Sequence, residues 1–166
     1  MLREANLSDF EAVEVLARQS RVMHAESYPD LLWKERFNGD SVKTKEDFEY
    51  LIESGYEENG LSQWKIFVFE ENGDILGYCI TEAWEYEGHP VFRDARVLGI
   101  EDIFVDEKAR GKGIGRQLFN RAKDYAKEIG AVRMQLAVWD FNKDARKFYE
   151  NLGMSANYTN MYLKIE

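Results

Sequence analysis

The chain has 166 residues with an apolar share of 45%, which predicts one folded domain with its own core rather than a disordered segment. Its net charge of −9 at pH 7 disfavours binding to nucleic acid or to an anionic membrane. The sequence has no apolar run of the roughly 18–20 residues that a membrane span needs, no signal-peptide pattern at its start and a single cysteine, Cys79, so a cytoplasmic protein is the simplest expectation.

The first third of the chain is predicted to form two helices. Ser8 and Glu11 have the spacing of a capping box, and apolar residues at helical spacing follow to about Met23. Thr44, three residues before an aspartate, starts a second helix that ends near Gly55.

In the rest of the chain, predicted strands are followed by helices in turn. The predicted strands are, in chain order, Trp64–Phe69, Ile75–Trp84, Val97–Val105, Val132–Trp139 and Tyr158–Ile165. Asn72-Gly73 predicts a hairpin turn, and a helix is expected over Gly115–Ile129. A further helix after the fourth strand carries Asn142, Ala145 and Tyr149, which have the i, i+3, i+7 spacing of one helix face. The order ααβββαβαβ, which leaves room for a short N-terminal strand, contains one right-handed parallel crossover beside antiparallel strands. We therefore expect an α/β fold with a mixed sheet flanked by helices.

The most informative segment is Arg110-Gly111-Lys112-Gly113-Ile114-Gly115, between a strand and a helix. Glycine lets the backbone approach a ligand closely, and a helix that starts there directs unpaired N–H groups and the positive end of its dipole into the turn. Such a turn binds a phosphate or pyrophosphate, and Arg110, Lys112 and Arg116 add positive charge. A P-loop would need Ser or Thr after Gly-Lys, and a dinucleotide fingerprint would need a third glycine where Arg116 stands, so neither fits.

The spelling of this turn, R-x-x-G-x-G, resembles the acyl-CoA pyrophosphate loop of the GCN5-related N-acetyltransferase (GNAT) superfamily, Q/R-x-x-G-x-G/A. Farther along, the segment from Asn142 to Met154 is similar to the superfamily's second signature, N-x-x-A-x-x-F-Y-x-x-x-G-F/M, with every fixed position present. The resemblance covers about Trp64 to Glu166 and implies an N-acetyltransferase domain over residues 1–166 with the acyl-CoA N-acyltransferase fold.

The resemblance implies acetyl-CoA as the acyl donor, held by the turn, by backbone groups of the preceding strand and by one face of the helix in the second signature. The residues assigned to binding it are Ile103, Phe104, Val105, Arg110, Gly111, Lys112, Gly113, Ile114, Gly115, Arg116, Asn142, Ala145 and Tyr149. The two histidines and one cysteine have no metal-ligand spacing, so no metal is expected.

Transfer to an amine needs a base for the ammonium and an acid for the departing thiolate. Tyr149 matches the superfamily's acid, and a phenol can donate a proton to the thiolate. Glu101 matches the catalytic glutamate of the histone-acetylating members and is the expected base or amine-orienting group, acting directly or through a water. Asp102 is the alternative base, and one of this acidic pair could instead be bound to Arg96 or Arg133 for structural reasons.

Strand alternation predicts that Glu101, Ile103 and Val105 face one side of the sheet, while Asp102 and Phe104 face the other.

The acceptor is expected to be a primary amine, and the acidic residues around the third strand favour a small cationic one. The alternative acceptor is a lysine or N-terminal amine of a peptide or protein. Two alternatives to this activity are a non-catalytic acyl-CoA-binding or regulatory module, and an enzyme of the same fold with a different acyl donor or acceptor atom. Candidates for the acceptor pocket, with plain packing as the alternative, are His24, Tyr28, Trp33, Tyr86 and His89. Cys79 is expected to be a small core residue.

The last predicted strand, Tyr158–Ile165, would form an apolar edge, and such an edge favours pairing with a second copy of the chain. A homodimer is therefore expected. The alternative is that Met161, Leu163 and Ile165 fill the core of their own monomer.

Overall fold

A computed structural model describes residues 1–32, 44–53 and 64–165 of the chain. Its strands and helices are, in chain order, β1 (Leu2–Glu4), α1 (Phe10–Ser27), α2 (Lys45–Glu53), β2 (Trp64–Glu71), β3 (Asp74–Tyr86), β4 (Ala95–Val105), α3 (Ile114–Glu128), β5 (Arg133–Leu136) and α4 (Lys143–Glu150). Among the described helices, none has both the length and the apolar character that crossing a bilayer requires.

The five strands form one sheet in the order β1-β2-β3-β4-β5. The first three pairs are antiparallel and β4 pairs with β5 in parallel, which confirms the predicted mixed sheet. The hairpin between β2 and β3 turns at Asn72 and Gly73, whose φ angles of 55° and 88° are the left-handed values that an Asn-Gly turn needs.

The sheet carries a separate apolar core on each face. On one face α3 packs against residues such as Phe67, Cys79 and Leu98. On the other face α1 and α2 pack against residues such as Val68 and Ile80. The long strands β3 and β4 contribute to both cores because alternate side chains point to opposite faces.

Helix α1 is longer than predicted and starts from a different cap. The capping box is formed by Asn6 and Asp9 around a 3-10 turn, rather than by Ser8 and Glu11, because the Asp9 carboxylate accepts a bond from the backbone N–H of Asn6 at 2.9 Å. The helix then continues past Met23 to Ser27. In the second helix the predicted capping pair is confirmed, since Thr44 and Asp47 exchange hydrogen bonds. The expected end of this helix near Gly55 lies outside the described residues.

The last two predicted strands are corrected by the structure. The strand expected over Val132–Trp139 pairs only from Arg133 to Leu136, because the chain leaves the sheet after that residue. The strand expected over Tyr158–Ile165 is absent, and the large apolar side chains of residues 158–165 are 65–87% exposed. An alternating apolar pattern makes a segment suited to strand pairing, but a strand also needs the open edge of another strand beside it. This segment lies elsewhere, and Nζ of Lys164 forms an ion pair with Oδ2 of Asp30 at 3.1 Å.

Arg3 joins three elements at the N-terminal end of the molecule. Its guanidinium, on β1, donates to both carboxylate oxygens of Asp9 at 2.7 and 2.8 Å and to Glu70 on β2 at 2.9 Å. The hydrogen bond from Arg3 lowers the pKa of Asp9. The pair therefore fixes the start of α1 against the edge of the sheet.

We expect Asp9→Asn to lower the free energy of unfolding by about 2 kcal/mol at pH 7, because it removes a charged acceptor from Arg3. Since the pKa of Asp9 is lower in the folded state, its stabilising effect is complete above the unfolded value of about 3.9 and is lost as the pH falls toward the folded value. Urea unfolding at pH 7 and pH 3 measures this: the difference between variant and wild type should shrink at pH 3. A difference that stays constant with pH would contradict the assignment.

Candidate functional site

The sheet opens between β4 and β5. Their pairing ends at Ile100 and Leu136, yet β4 continues to Val105 while the chain after β5 turns away toward α4. On the side of β4 away from β3, the backbone of residues 101–105 therefore has no strand partner in the described part of the chain. We call the gap between residues 101–105 and residues 137–142 the cleft.

A β-bulge lies where the cleft begins. Ile80 of β3 pairs with Asp102 and Thr81 pairs with Ile100, so Glu101 is an extra residue without a partner on β3. A bulge of this kind bends the strand and redirects a side chain. The predicted alternation holds beyond it: Ile103 and Val105 pack on the α3 side, and Phe104 packs on the α1 side.

The Glu101 carboxylate lies beside an indole ring at this bulge. A Cβ atom added to Gly99 would come within 2.6 Å of the Trp84 ring and 3.0 Å of Glu101 Oε1. Glycine at this position therefore allows the Trp84 ring to lie across β4 next to the carboxylate. Glu101 is exposed, and it forms no hydrogen bond or ion pair with the residues that the structure describes.

Neither of the two arginines considered as structural partners binds this carboxylate. Arg96 donates to Glu85 and to the carbonyl of Ile129. Arg133 lies over the rings of Tyr86 and Phe92, at 5.4 and 5.8 Å from their centroids.

Asp102 points to the α1 side and is bound there by a buried phenol. The hydroxyl of Tyr78, which is fully buried, donates a hydrogen bond to the Asp102 carboxylate. Burial raises the pKa of Tyr78, and the charge of Asp102 raises it further. Sequence analysis missed Tyr78, because one tyrosine in an apolar strand does not differ from ordinary core.

Tyr149 lies on α4 and faces the α3 side of the sheet. Its half-buried ring packs against Phe119 and Phe148, with centroids 6.2 and 5.2 Å away. Burial raises the pKa of its hydroxyl, with smaller contributions from Cys79 and Asp102. The phenol therefore stays protonated throughout the neutral range, and Asp102 is close enough to affect it.

Asn142 and Ala145, which share the predicted helix face with Tyr149, form a hydrogen bond at the start of α4. Asn142 precedes α4 as its N-cap, and its Oδ1 accepts a hydrogen bond from the backbone N–H of Ala145 at 3.1 Å. Asn142 therefore sets where α4 starts and so where Tyr149 falls.

The glycine turn has the backbone conformation that its sequence predicts. Gly111 and Gly113 have φ angles of 80° and 77°, and Gly113 is the N-cap of α3. No side chain caps this helix, so the backbone N–H groups of residues 114–116 point into the turn without intrahelical partners. The Ile114 side chain is buried in the core, which leaves only its backbone to contact a ligand. The turn thus has the donors and the helix dipole that a pyrophosphate needs.

The basic side chains around the turn are exposed. Arg110 donates weakly to the carbonyl of Val105 at 3.3 Å, and its guanidinium lies 5.3 Å from the Phe104 ring centroid. The Nζ atom of Lys112 lies 3.5 Å from Oε2 of Glu71. Arg116 is exposed on the first turn of α3. These long side chains add positive charge beside the turn, and Arg110 and Lys112 also lie near the carboxylates of Glu107 and Glu71.

An aromatic group closes the other side of the cleft. Trp139 and Phe141, from the segment after β5, contact His24 and Tyr28 at the end of α1, with centroids 5.1–6.0 Å apart. His24 Nδ1 lies 2.8 Å from the carbonyl of Ser20. Because a carbonyl only accepts, Nδ1 donates this bond and Nε2 is left as the acceptor in the neutral ring. Sequence analysis identified His24 and Tyr28 but missed the two aromatic residues of the loop, although both lie just before the second signature.

The remaining candidates lie apart from this group. His89 Nδ1 accepts bonds from the backbone N–H groups of Val91 and Phe92 at 3.1 Å, and its ring contacts Tyr86, so it organises the loop between β3 and β4. Cys79 is fully buried, as predicted. Trp33 lies outside the described residues. Among the described side chains, no group of three or more His, Cys, Asp or Glu could hold a metal ion.

Comparison with known proteins gives consistent matches. Residues 25–154 match the Acetyltransferase (GNAT) family. The uncharacterized N-acetyltransferase YhfO of Bacillus subtilis is 29% identical over 155 residues, which is 92% of this chain and 87% of that protein. Thialysine N-epsilon-acetyltransferase of Mus musculus is 28% identical over 152 residues, 92% of this chain and 82% of that protein. A crystal structure of a mutant BH1408 protein from Bacillus halodurans has a TM-score of 0.88 and 27% identity, covering 100% of this chain and 99% of that one.

Proposed function

The chain belongs to the Acetyltransferase (GNAT) family and is an N-acetyltransferase, and on this premise we propose that it moves the acetyl group of acetyl-CoA directly to a small cationic primary amine in one ternary complex. The observation that carries the proposal is the cleft, which has an uncapped helix N-terminus at one end and the exposed Glu101 carboxylate at the other. When bound, acetyl-CoA supplies the acetyl group as an activated thioester.

The residues present fit acetyl-CoA. The backbone N–H groups of residues 114–116 would hold its pyrophosphate, with Arg110 and Lys112 adding charge. The unpaired backbone of residues 103–105 would bind the amide groups of its pantetheine arm, and a backbone N–H there would polarise the acetyl carbonyl.

Glu101 is the proposed base. Its carboxylate is exposed at the bulge and would take a proton from the ammonium group of the acceptor, directly or through a water. Asp102 is the weaker candidate, because the buried hydroxyl of Tyr78 already donates to it.

Tyr149 is the proposed general acid. A phenol holds its proton on Oη at neutral pH, and Tyr149 would donate that proton or a hydrogen bond to the departing thiolate sulfur. Its raised pKa excludes Tyr149 as the base in this pH range.

The acceptor is proposed to be cationic for two reasons. The net charge of −9 and the exposed Glu101 favour an amine that arrives protonated. The aromatic side chains of Tyr28, Trp139 and Phe141 lie together beside the cleft, and a cation placed over such a ring is attracted to it. The mouse relative is named for transfer to the ε-nitrogen of thialysine, which supports an amine acceptor.

We also propose a cytoplasmic location, since the single cysteine is buried and forms no disulfide.

The test of this function is release of free thiol from acetyl-CoA with a panel of amines. Polyamines, aminoglycosides and lysine analogues should be acetylated, while neutral and anionic amines of similar size should react much more slowly. Activity confined to neutral or anionic acceptors would overturn the charge argument. Binding of acetyl-CoA without transfer to any amine, peptides included, would favour a non-catalytic acyl-CoA-binding module.

We expect Gly113→Ala to raise the Kd for acetyl-CoA at least fivefold in isothermal titration. A Cβ at a φ of 77° costs about 1–2 kcal/mol, and relaxing this strain reorients the N–H groups of the turn. Gly130→Ala is the matched control, because Gly130 also has a positive φ, of 69°, with nothing near its Cβ, but lies after the other end of α3. Equal Kd values for the two variants would remove the turn from the binding site.

We expect Tyr149→Phe to lower kcat by about 10²-fold or more while leaving KM for acetyl-CoA nearly unchanged, because only the proton donor is lost. Tyr125→Phe is the control: it also removes a buried phenol whose pKa is raised, to about 12, but on the core side of α3. Steady-state kinetics at pH 7 to 9 measure both. An unchanged kcat in Tyr149→Phe would exclude the assigned role.

A further inference from the structure

Tyr78 places a phenol inside an apolar core. Its side chain is fully buried on the α1 side of the sheet, in a cluster with residues such as Val13, Leu16 and Val68. A phenylalanine would fill the same space, whereas a buried hydroxyl is costly unless it has a hydrogen-bond partner. Apolar packing therefore does not explain why this residue is a tyrosine.

The hydroxyl of Tyr78 is directed at the bulge of β4. It donates a hydrogen bond to the half-buried carboxylate of Asp102. Tyr78 pairs with Phe104, so Asp102 is its diagonal neighbour on the adjacent strand, within reach of a long aromatic side chain. The hydrogen bond therefore joins β3 to β4 beside the register shift that leaves Glu101 as the extra residue.

Helix α1 covers the Tyr78 hydroxyl with charges of both signs. Glu14 and Arg21 form an ion pair on this helix, and both side chains are mostly buried. Burial raises the pKa of Tyr78 most and Asp102 raises it further, while Arg21 lowers it and Glu14 raises it. The phenol therefore keeps its proton and remains a donor to Asp102 throughout the neutral range.

The hydrogen bond favours one position of the bulge over the next. If Ile80 paired with Glu101 instead of Asp102, then Asp102 would become the extra residue in place of Glu101. That shift would carry the Asp102 carboxylate away from Tyr78 and leave the buried hydroxyl without this acceptor. The register in which Glu101 is the extra residue is thus the one that satisfies the phenol.

We propose that Tyr78 is a positioning residue for acetyl transfer: its hydrogen bond to Asp102 fixes the bulge so that the Glu101 carboxylate faces the acceptor amine. The inference rests on the proposed role of Glu101 as the base. It explains why two adjacent carboxylates occur at one bulge, since Asp102 holds the strand and Glu101 is left for the amine.

The first test is steady-state kinetics with the best acceptor of the amine panel. Tyr78→Phe and Asp102→Ala remove the same hydrogen bond, so each should lower kcat about tenfold or more, because a displaced carboxylate is misaligned with the amine. The Kd for acetyl-CoA should stay within about twofold, since the glycine turn is unchanged. The double variant should be no slower than the slower single variant, as expected for two partners in one interaction.

The conservative variant Asp102→Asn should restore the function of the pair. It keeps a side-chain oxygen that accepts from Tyr78, so its kcat should stay within about threefold of wild type. Tyr125→Phe is the matched control, because Tyr125 is also a buried phenol but lies in the core on the α3 side, and it should keep the wild-type kcat. Circular dichroism should show that all the variants are folded.

The possible outcomes separate this inference from its premise. A wild-type kcat in Tyr78→Phe would overturn the positioning role, and so would an inactive Asp102→Asn, which would make Asp102 itself the base. Glu101→Gln tests the premise: if it stays active, Glu101 is not the base and the inference falls with the proposed mechanism. An inactive Glu101→Gln beside a fully active Tyr78→Phe overturns the positioning role alone.

The second test does not depend on activity. Amide hydrogen exchange, followed by NMR on the isotope-labelled protein, measures how firmly β4 is held at the bulge. Tyr78→Phe should speed exchange at the protected amides of residues 100–102 about tenfold or more, and Tyr125→Phe should leave them unchanged. Equal exchange rates there in Tyr78→Phe and wild type would show that the bulge holds without the hydrogen bond, and would overturn the proposal.

Discussion

The site depends on the short parallel pairing between β4 and β5. Only Val97 to Ile100 pair with β5, and the bulge at Glu101 follows at once, so the remaining half of β4 presents unpaired backbone to the cleft. Unpaired backbone groups seek partners, and the amide groups of an extended ligand can provide them. The same departure of the chain after Leu136 carries Trp139 and Phe141 toward α1 and positions Asn142 to start α4. One local break in the sheet thus generates both walls of the cleft.

A partly buried polar pair lies at this break. The Asp102 carboxylate is half-buried on the α1 side, where an unpaired charge is costly, and the buried Tyr78 hydroxyl donates to it from the neighbouring strand. Because Asp102 is fixed toward α1, the extra residue of the bulge is Glu101, whose carboxylate remains exposed. The two acidic neighbours therefore have different environments: Asp102 accepts a hydrogen bond from a buried phenol, and Glu101 is exposed, where the proposed proton transfer would take place.

Much of the fold was predictable from sequence because its signals are local. Glycines in the turn before α3, the Asn-Gly hairpin and the Thr44–Asp47 cap each depend on residues a few positions apart. The bulge, the partner of Asp102 and the early end of β5 depend on contacts between strands, which no local pattern encodes. The end of α1 was misplaced because Pro29 disfavours helical geometry only at the residue before it, Tyr28, and the helix continues to Ser27. The prediction of a final strand was wrong because an alternating pattern shows that a segment is suited to pairing but not that an open strand edge lies beside it.

The short strand β5 also limits how firmly the far wall of the cleft is held. β5 has four residues and pairs with β4 over that length alone. Parallel pairing over so few residues is a weak constraint on the loop that follows, which carries Trp139 and Phe141. The ring contacts of these two residues with His24 and Tyr28 therefore position that wall against the end of α1.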